Sequence, residues 1–391
     1  MPSSERDLTR RWRSCVGYRT AAVNRTTPDV SPPPARPTFS TEPSTDEIVR
    51  ARVFSEPLVP VGGAPSQAQN EALVRAINAH AAGERSDAVA PFVTFLGEYP
   101  NSPWRASVLA NLGTHYLEAG AISRALQAWE QAWLAARDAT DRDARAVADF
   151  AVGEWLDVTM ELGHVDALAA RLAELEGRDV HGPAASKIGK AREALWVFEN
   201  HHDLAVGSGV VALNAILRAS AVGDYTMPRR LRDAHPTPAG TSLAELGTLA
   251  ASVGLRMQMG YRSSGAPLPL PAVAHFGVEH YVAVLQQVGD RFLVHDIVLG
   301  QRWVSRDVLT SETTGFFLIP EGDLPEGWRP PTSAEATAVI GHCAPGGPDG
   351  ETPGDCSGEG CVPCGGNCGG AGGGGRAQRW PGKRARRHAR L

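Results

Sequence analysis

HYVAVLQQVGDRFLVHDI, residues 280–297, reads as two β-strands joined by a two-residue turn. Gly289-Asp290 is a dipeptide that supplies the positive φ a tight hairpin needs, and apolar runs flank it on both sides. Strand-like runs surround this hairpin: LRMQMGYR at 255–262, QRWVS at 301–305 and TGFFLIP at 314–320. Two helical stretches come before them. SGVVALNAILRASAVG, 208–223, reads as one buried helix. SLAELGTLAASVGL, 242–255, is amphipathic, with Ser242 as N-cap and Glu245 three residues on, the pattern of a capping box. Two helices followed by a run of strands predict an α+β domain with helices on one face of an antiparallel sheet.

The whole chain has 391 residues, and 42% are hydrophobic. That length allows two or three domains, and that composition supports at least one sizeable core. A formal charge of −5 gives no electrostatic case for nucleic acid. No stretch approaches the ~18–20 uninterrupted apolar residues of a membrane helix. The N-terminus, MPSSERDLTRRWRSC, is charged and lacks a following apolar segment. The expectation is therefore no secretory signal peptide and a cytoplasmic chain. A membrane transporter, a collagen-like chain and a small disulfide scaffold are excluded. Of six cysteines, Cys15 lies near the start, and Cys343, Cys356, Cys361, Cys364 and Cys368 share one Gly-rich stretch. The span between needs no disulfide, which fits a reducing compartment.

Composition divides the chain further. Residues 1–65 are rich in Pro, Ser, Thr and Arg and are expected to be a disordered arm. Residues 66–200 are dominated by Ala, Leu, Glu and Arg at helical spacing. Within them, Leu112, Gly113, Tyr116, Gly120, Ala125, Trp129 and Ala132 follow the spacing of a tetratricopeptide repeat. Its small residues let two antiparallel helices approach, and its aromatics fill the gap to the next hairpin. Ala88, Phe92 and Pro100 match an earlier copy, and Gly153, Leu156 and Ala167 to Leu175 a weaker later one. A last helix at 183–199 would cap an all-α tetratricopeptide-like stack. A generic helical bundle is the plainer alternative.

The order helix, helix, His-bearing strand, hairpin, Asp is that of a papain-like peptidase. Residues 201–320 resemble the C39 family, which processes bacteriocin precursors and cuts after double-glycine leaders. Ser208-Gly209-Val210-Val211-Ala212-Leu213 stands where that family begins its nucleophile helix with Cys-Gly. Ser242 to Leu246 is similar to its second helix, Pro271 to Leu285 to its His-bearing strand, and Val294-His295-Asp296 with Gly300-Gln301-Arg302 to its Asp-bearing strand end. The resemblance implies peptide-bond hydrolysis with Ser208 as nucleophile, His280 as general base, Asp296 as its orienter, and His202 at the oxyanion position. No cofactor is implied, and the partner is a peptide or protein segment.

Two departures bear on activity. The family's Cys is Ser208, and its oxyanion Gln, six residues earlier, is His202. A thiol beside an imidazole ionises readily, whereas a serine hydroxyl must lose its proton during attack. The expectation is a degenerate, peptide-binding enzyme, inactive or weak. A protein-interaction scaffold built on the helical repeats is the alternative, and a slow but working serine is a third. Ser208 could also act only as the N-cap of a helix starting at Gly209. His201, His275 and His295 are read as incidental. Zinc between His275 and His280 is disfavoured because their spacing on one strand puts them on opposite faces.

Residues 321–391 are expected to be a disordered Gly/Cys-rich and basic tail. Cys356, Cys361, Cys364 and Cys368 form a weak zinc candidate, with compressed spacing among many glycines. RAQRWPGKRARRHARL, 376–391, carries seven basic residues and no acidic one. Poly-Gly running into Arg-rich sequence is also what a shifted frame in GC-rich DNA gives. The layout is similar to the N-terminal part of RHS/YD-repeat proteins, which would make the chain a fragment.

Overall fold

The computed structural model describes residues 37–82, 89–201, 205–234, 237 and 239–345. These fall into two compact units, one drawn from residues 1–57 and 66–99, the other from 58–65 and 100–391.

The first unit holds α1 (Thr45–Arg50), α2 (Gln67–Ala82) and α3 (Ala90–Glu98). α1 lies inside the arm expected to be disordered. A reciprocal capping box between Ser44 and Glu47 starts it, and Ile48 is buried. Two adjacent apolar residues, Ile48 and Val49, carry no helical periodicity, so the one local signal for this helix is the Ser44-x-x-Glu47 capping box. α2 and α3 bury Leu73, Ile77, Phe92 and Phe95. Ala88, part of the expected earlier repeat, lies outside the described residues.

The second unit begins with five helices: α4 (Arg105–Ala119), α5 (Ile122–Ala136), α6 (Arg142–Leu162), α7 (Val165–Glu174) and α8 (Pro183–Asn200). α4 ends at Gly120, whose φ of 87° is the left-handed cap that glycine accepts without strain. α4 and α5 approach closely because Gly113 has no side chain. A Cβ there would stand 2.3 Å from Trp129 Nε1, whose N–H donates to the Ala110 carbonyl at 3.0 Å. Gly113→Val is expected to cost more than ~2 kcal/mol through overpacking. Thermal unfolding checks this, and an unchanged melting temperature would refute the close approach.

After the helices come β1 (Ala205–Gly207), α9 (Ser208–Ser220), α10 (Arg229–Arg232), β2 (Thr241–Ser242) and α11 (Leu243–Ser252). Ser242 caps α11 and forms the expected capping box with Glu245. Then follow β3 (Met257–Arg262), β4 (Ala272–Phe276), β5 (His280–Val288), β6 (Arg291–Asp296), β7 (Gly300–Ser305), α12 (Arg306–Glu312) and β8 (Thr313–Pro320). The α+β class holds: with β9 (Trp328–Arg329), a seven-stranded sheet in the order β7-β6-β5-β4-β8-β3-β9 is antiparallel throughout. The β5–β6 hairpin pairs Val288 with Arg291 and so turns on Gly289-Asp290 alone. α9 and α11 pack on this sheet through Leu213, Ile216, Leu246 and Ala250, against Val273, Tyr281 and Leu318.

Two expectations need correction. The segment 271–285 is two strands, β4 and β5, folded back so that Phe276 faces His280. Gly277 to Glu279 makes the turn, with Glu279 at φ 52°. Nor does order end at Pro320. β9 (Trp328–Arg329), α13 (Ser333–Ala338), β10 (Ile340–Gly341) and β11 (Cys343–Pro345) continue the fold. They are short, and backbone pairing with β1, β2 and β3 orders them more than any apolar pattern of their own.

The helices and the sheet share polar contacts within this unit. Glu312 accepts hydrogen bonds from Ser123 N and Oγ at 3.0 and 2.7 Å. Arg302 donates to the Leu117 carbonyl at 2.8 Å. Among the described residues no helix is long and apolar enough to cross a membrane.

Candidate active site

His280 opens β5 and Asp296 closes β6, so the hairpin that folds these strands together brings the two side chains to one end of the sheet. His280 Nε2 lies 2.7 Å from Asp296 Oδ2, with both side chains buried. The approach is short but poorly directed for a hydrogen bond: neither ring nitrogen of His280 nor Asp296 Oδ2 has a partner with good hydrogen-bond geometry. The other Asp296 oxygen, Oδ1, accepts from the Leu299 backbone N–H. That bond fixes the carboxylate in the turn before β7.

Ser208 is the first residue of α9 and is 2% exposed. It does not cap the helix, as one reading supposed. Gly207 is the N-cap, and no side chain there satisfies the helix. The Ser208 hydroxyl instead accepts from the Tyr281 backbone N–H at 3.2 Å, which ties the start of α9 to the start of β5. Gly209 permits this approach, since a Cβ there would meet Leu246 at 2.5 Å and Tyr281 at 3.3 Å. The start of α9 thus meets the start of β5, where the N–H of Tyr281, the residue after His280, donates to the Ser208 hydroxyl.

Residues 204–323 match the model of the Peptidase C39 family. No curated protein and no solved structure matches the chain. The C39-like domain therefore comprises the Ser208 helix, the His280–Asp296 hairpin and the sheet around them.

Several side chains at this site escaped sequence reasoning. His275, read as incidental, is buried and held at both ring nitrogens, Nδ1 to Thr314 Oγ1 at 2.9 Å and Nε2 to the Ile340 carbonyl at 2.8 Å. A carbonyl only accepts, so Nε2 carries the proton. Burial holds this imidazole below its usual range. His275 pairs with Tyr281 across β4 and β5. It therefore faces away from His280 because they sit on neighbouring strands, not because of spacing along one.

From α6 comes Glu161, whose Oε2 is buried without a partner. Burial, then the neighbouring Asp157 and Asp296 carboxylates, push its carboxyl up to about 7. From the α6–α7 turn comes His164, whose Nε2 meets the Val278 carbonyl at 3.0 Å. Neither had a sequence signal, because each sits more than a hundred residues from the strands it meets.

Glu161 gives a pH signature. Its folded pKa lies above the ordinary 4.5, so the folded state binds an extra proton between about pH 4.5 and 7. Stability from this group is full below pH 4.5 and is lost as pH rises through 7. In Glu161→Gln, the unfolding free energy relative to wild type is expected to rise by on the order of 2 kcal/mol between pH 4.5 and 8. Urea titrations at the two pH values check it, and a pH-independent difference would reject it.

His202 lies outside the described residues, as do Cys356, Cys361, Cys364 and Cys368. Among the described residues no group of three or more His, Cys, Asp or Glu converges as a metal site would.

Proposed function

We propose that the C39-like domain binds an extended peptide across the junction of α9 and β5, and that Ser208 makes it a weak or inactive peptidase. Ser208 takes the nucleophile position, His280 the base position and Asp296 the orienting position, with His202 at the oxyanion position. The observation that carries this reading is the buried His280–Asp296 contact of 2.7 Å at the start of β5, the strand whose Tyr281 N–H donates to Ser208 Oγ. A buried imidazole–carboxylate pair is a costly arrangement for a purely structural domain. It fits an imidazole with an orienting carboxylate beside it. The weak activity follows from the hydroxyl. A serine hydroxyl, unlike a thiol, is not ionised near neutral pH and must give up its proton during attack.

The helical part is read with it. The α4–α5 hairpin, with Gly113 closed against Trp129, is tetratricopeptide-like and would hold a protein partner near the peptide groove. The test is cleavage and binding of double-glycine peptides by the full chain and by Ser208→Cys. The reading fails if neither protein binds or cleaves such a peptide.

A further inference from the structure

The backbone of residues 339–345 runs through this junction. The Ser208 N–H donates to the His342 carbonyl at 3.1 Å. That N–H is one of the unpaired donors at the start of α9, and it sits on the residue at the nucleophile position. A donor there is where a developing oxyanion would be held during acyl transfer. The His342 N–H in turn donates to the carbonyl of Glu279, the residue before His280, at 2.9 Å. The one residue His342 therefore bridges both walls of the junction.

The flanks are anchored as an added strand would be. On one side Ile340 and Gly341 pair antiparallel with Ser242 and Thr241, and on the other Cys343 to Pro345 pair antiparallel with Gly207 to Ala205. The Val339 carbonyl accepts from Tyr281 Oη at 2.9 Å and from Leu243 N at 2.8 Å. The Ile340 carbonyl meets His275 Nε2 at 2.8 Å. Gly341 lies flat on the Tyr281 ring. A Cβ there would stand 2.3 Å from Tyr281 Cδ2 and 3.0 Å from Ser208 Oγ.

We infer that residues 339–345 are a strap that occupies the domain's own peptide groove, with His342 presented to Ser208 as a bound peptide would be, and so inhibits the groove in cis. This rests on the peptide-groove reading above. Occupation without turnover is consistent with His280 Nδ1 lacking a hydrogen-bond partner.

The test uses the full chain and a fluorescent peptide spanning residues 337–347. Gly341→Val cannot lie on Tyr281, and His342→Pro removes the N–H given to Glu279 without adding bulk at the ring. Both variants are expected to bind the peptide at least ~10-fold more tightly than wild type, because the free groove no longer competes with its own strap. A peptide with Val at the position of Gly341 should not bind. If both variants remain folded by circular dichroism yet bind no better than wild type, the strap inference is overturned. Hydrogen exchange covers the case in which one variant misfolds. In wild type the Ser208 and His342 amides should be protected, and rapid exchange at both would equally overturn the inference. The two readings fail separately. Cleavage of double-glycine peptide by Ser208→Cys, unchanged by adding Gly341→Val, would sink the strap and spare the groove. Absence of peptide binding in every variant would sink both.

Discussion

Ser208→Cys is expected to gain cleavage of a double-glycine peptide by about two orders of magnitude or more over wild type. A thiol at the start of a helix and beside an imidazole is acidified by the helix N-terminal field, so a large fraction is thiolate near neutral pH. The serine hydroxyl gains no comparable ionisation and depends on proton transfer within the transition state. At this site the hydroxyl already accepts from the Tyr281 N–H, and its own proton is the one His280 would have to take. Initial rates against peptide concentration, with the cut site read by mass spectrometry, measure the gain. Because the strap competes for the groove, the gain should appear first in kcat at high peptide concentration and grow at low concentration when Gly341→Val is added. Equal rates for wild type and Ser208→Cys, with Ser208→Ala inactive, would mean that the serine is a working nucleophile.

The second large effect is on stability. Asp296→Ala removes the carboxylate that lies 2.7 Å from His280 Nε2 and that accepts from the Leu299 N–H. Both neighbours stay buried when it goes, so the change strands the Leu299 backbone donor and takes the carboxylate from beside the imidazole. Removing one member of a buried pair typically costs ~3–5 kcal/mol. The midpoint of denaturant unfolding should fall accordingly. Asp296→Asn keeps an acceptor for Leu299 and should recover part of the loss. In the Ser208→Cys background, Asp296→Asn should still lower kcat sharply, because an amide can present its N–H to the imidazole and reverse the tautomer. A structural role alone would predict recovery of both stability and rate. Loss of rate with recovered stability marks Asp296 as the orienter.

Much of the fold was legible because it is encoded locally. The Gly289-Asp290 turn, the Ser242–Glu245 capping box and the strand runs of 257–262 and 313–320 depend on neighbours within a few residues. The same is true of Gly120, where a left-handed cap requires glycine. The two-strand nature of 271–285 was not legible. Apolar runs on either side of a three-residue turn read much like one strand, and only Gly277 to Glu279, with Glu279 at positive φ, part them.

By itself the sequence determined the candidate residues Ser208, His280 and Asp296 and the order of the elements that carry them. The tertiary structure decided what surrounds those residues. Glu161 and His164 reach the site from helices far away in the chain. The Ser208 hydroxyl accepts from a strand amide instead of capping its own helix. Residues 339–345 enter the junction although their sequence, short and glycine-containing, carries no strand pattern. The physical reason is common to all three. Periodicity, caps and turns are written by side chains within one or two turns of each other. A strap held by backbone hydrogen bonds, or a carboxyl raised by distant burial, is written only by which segments meet in space.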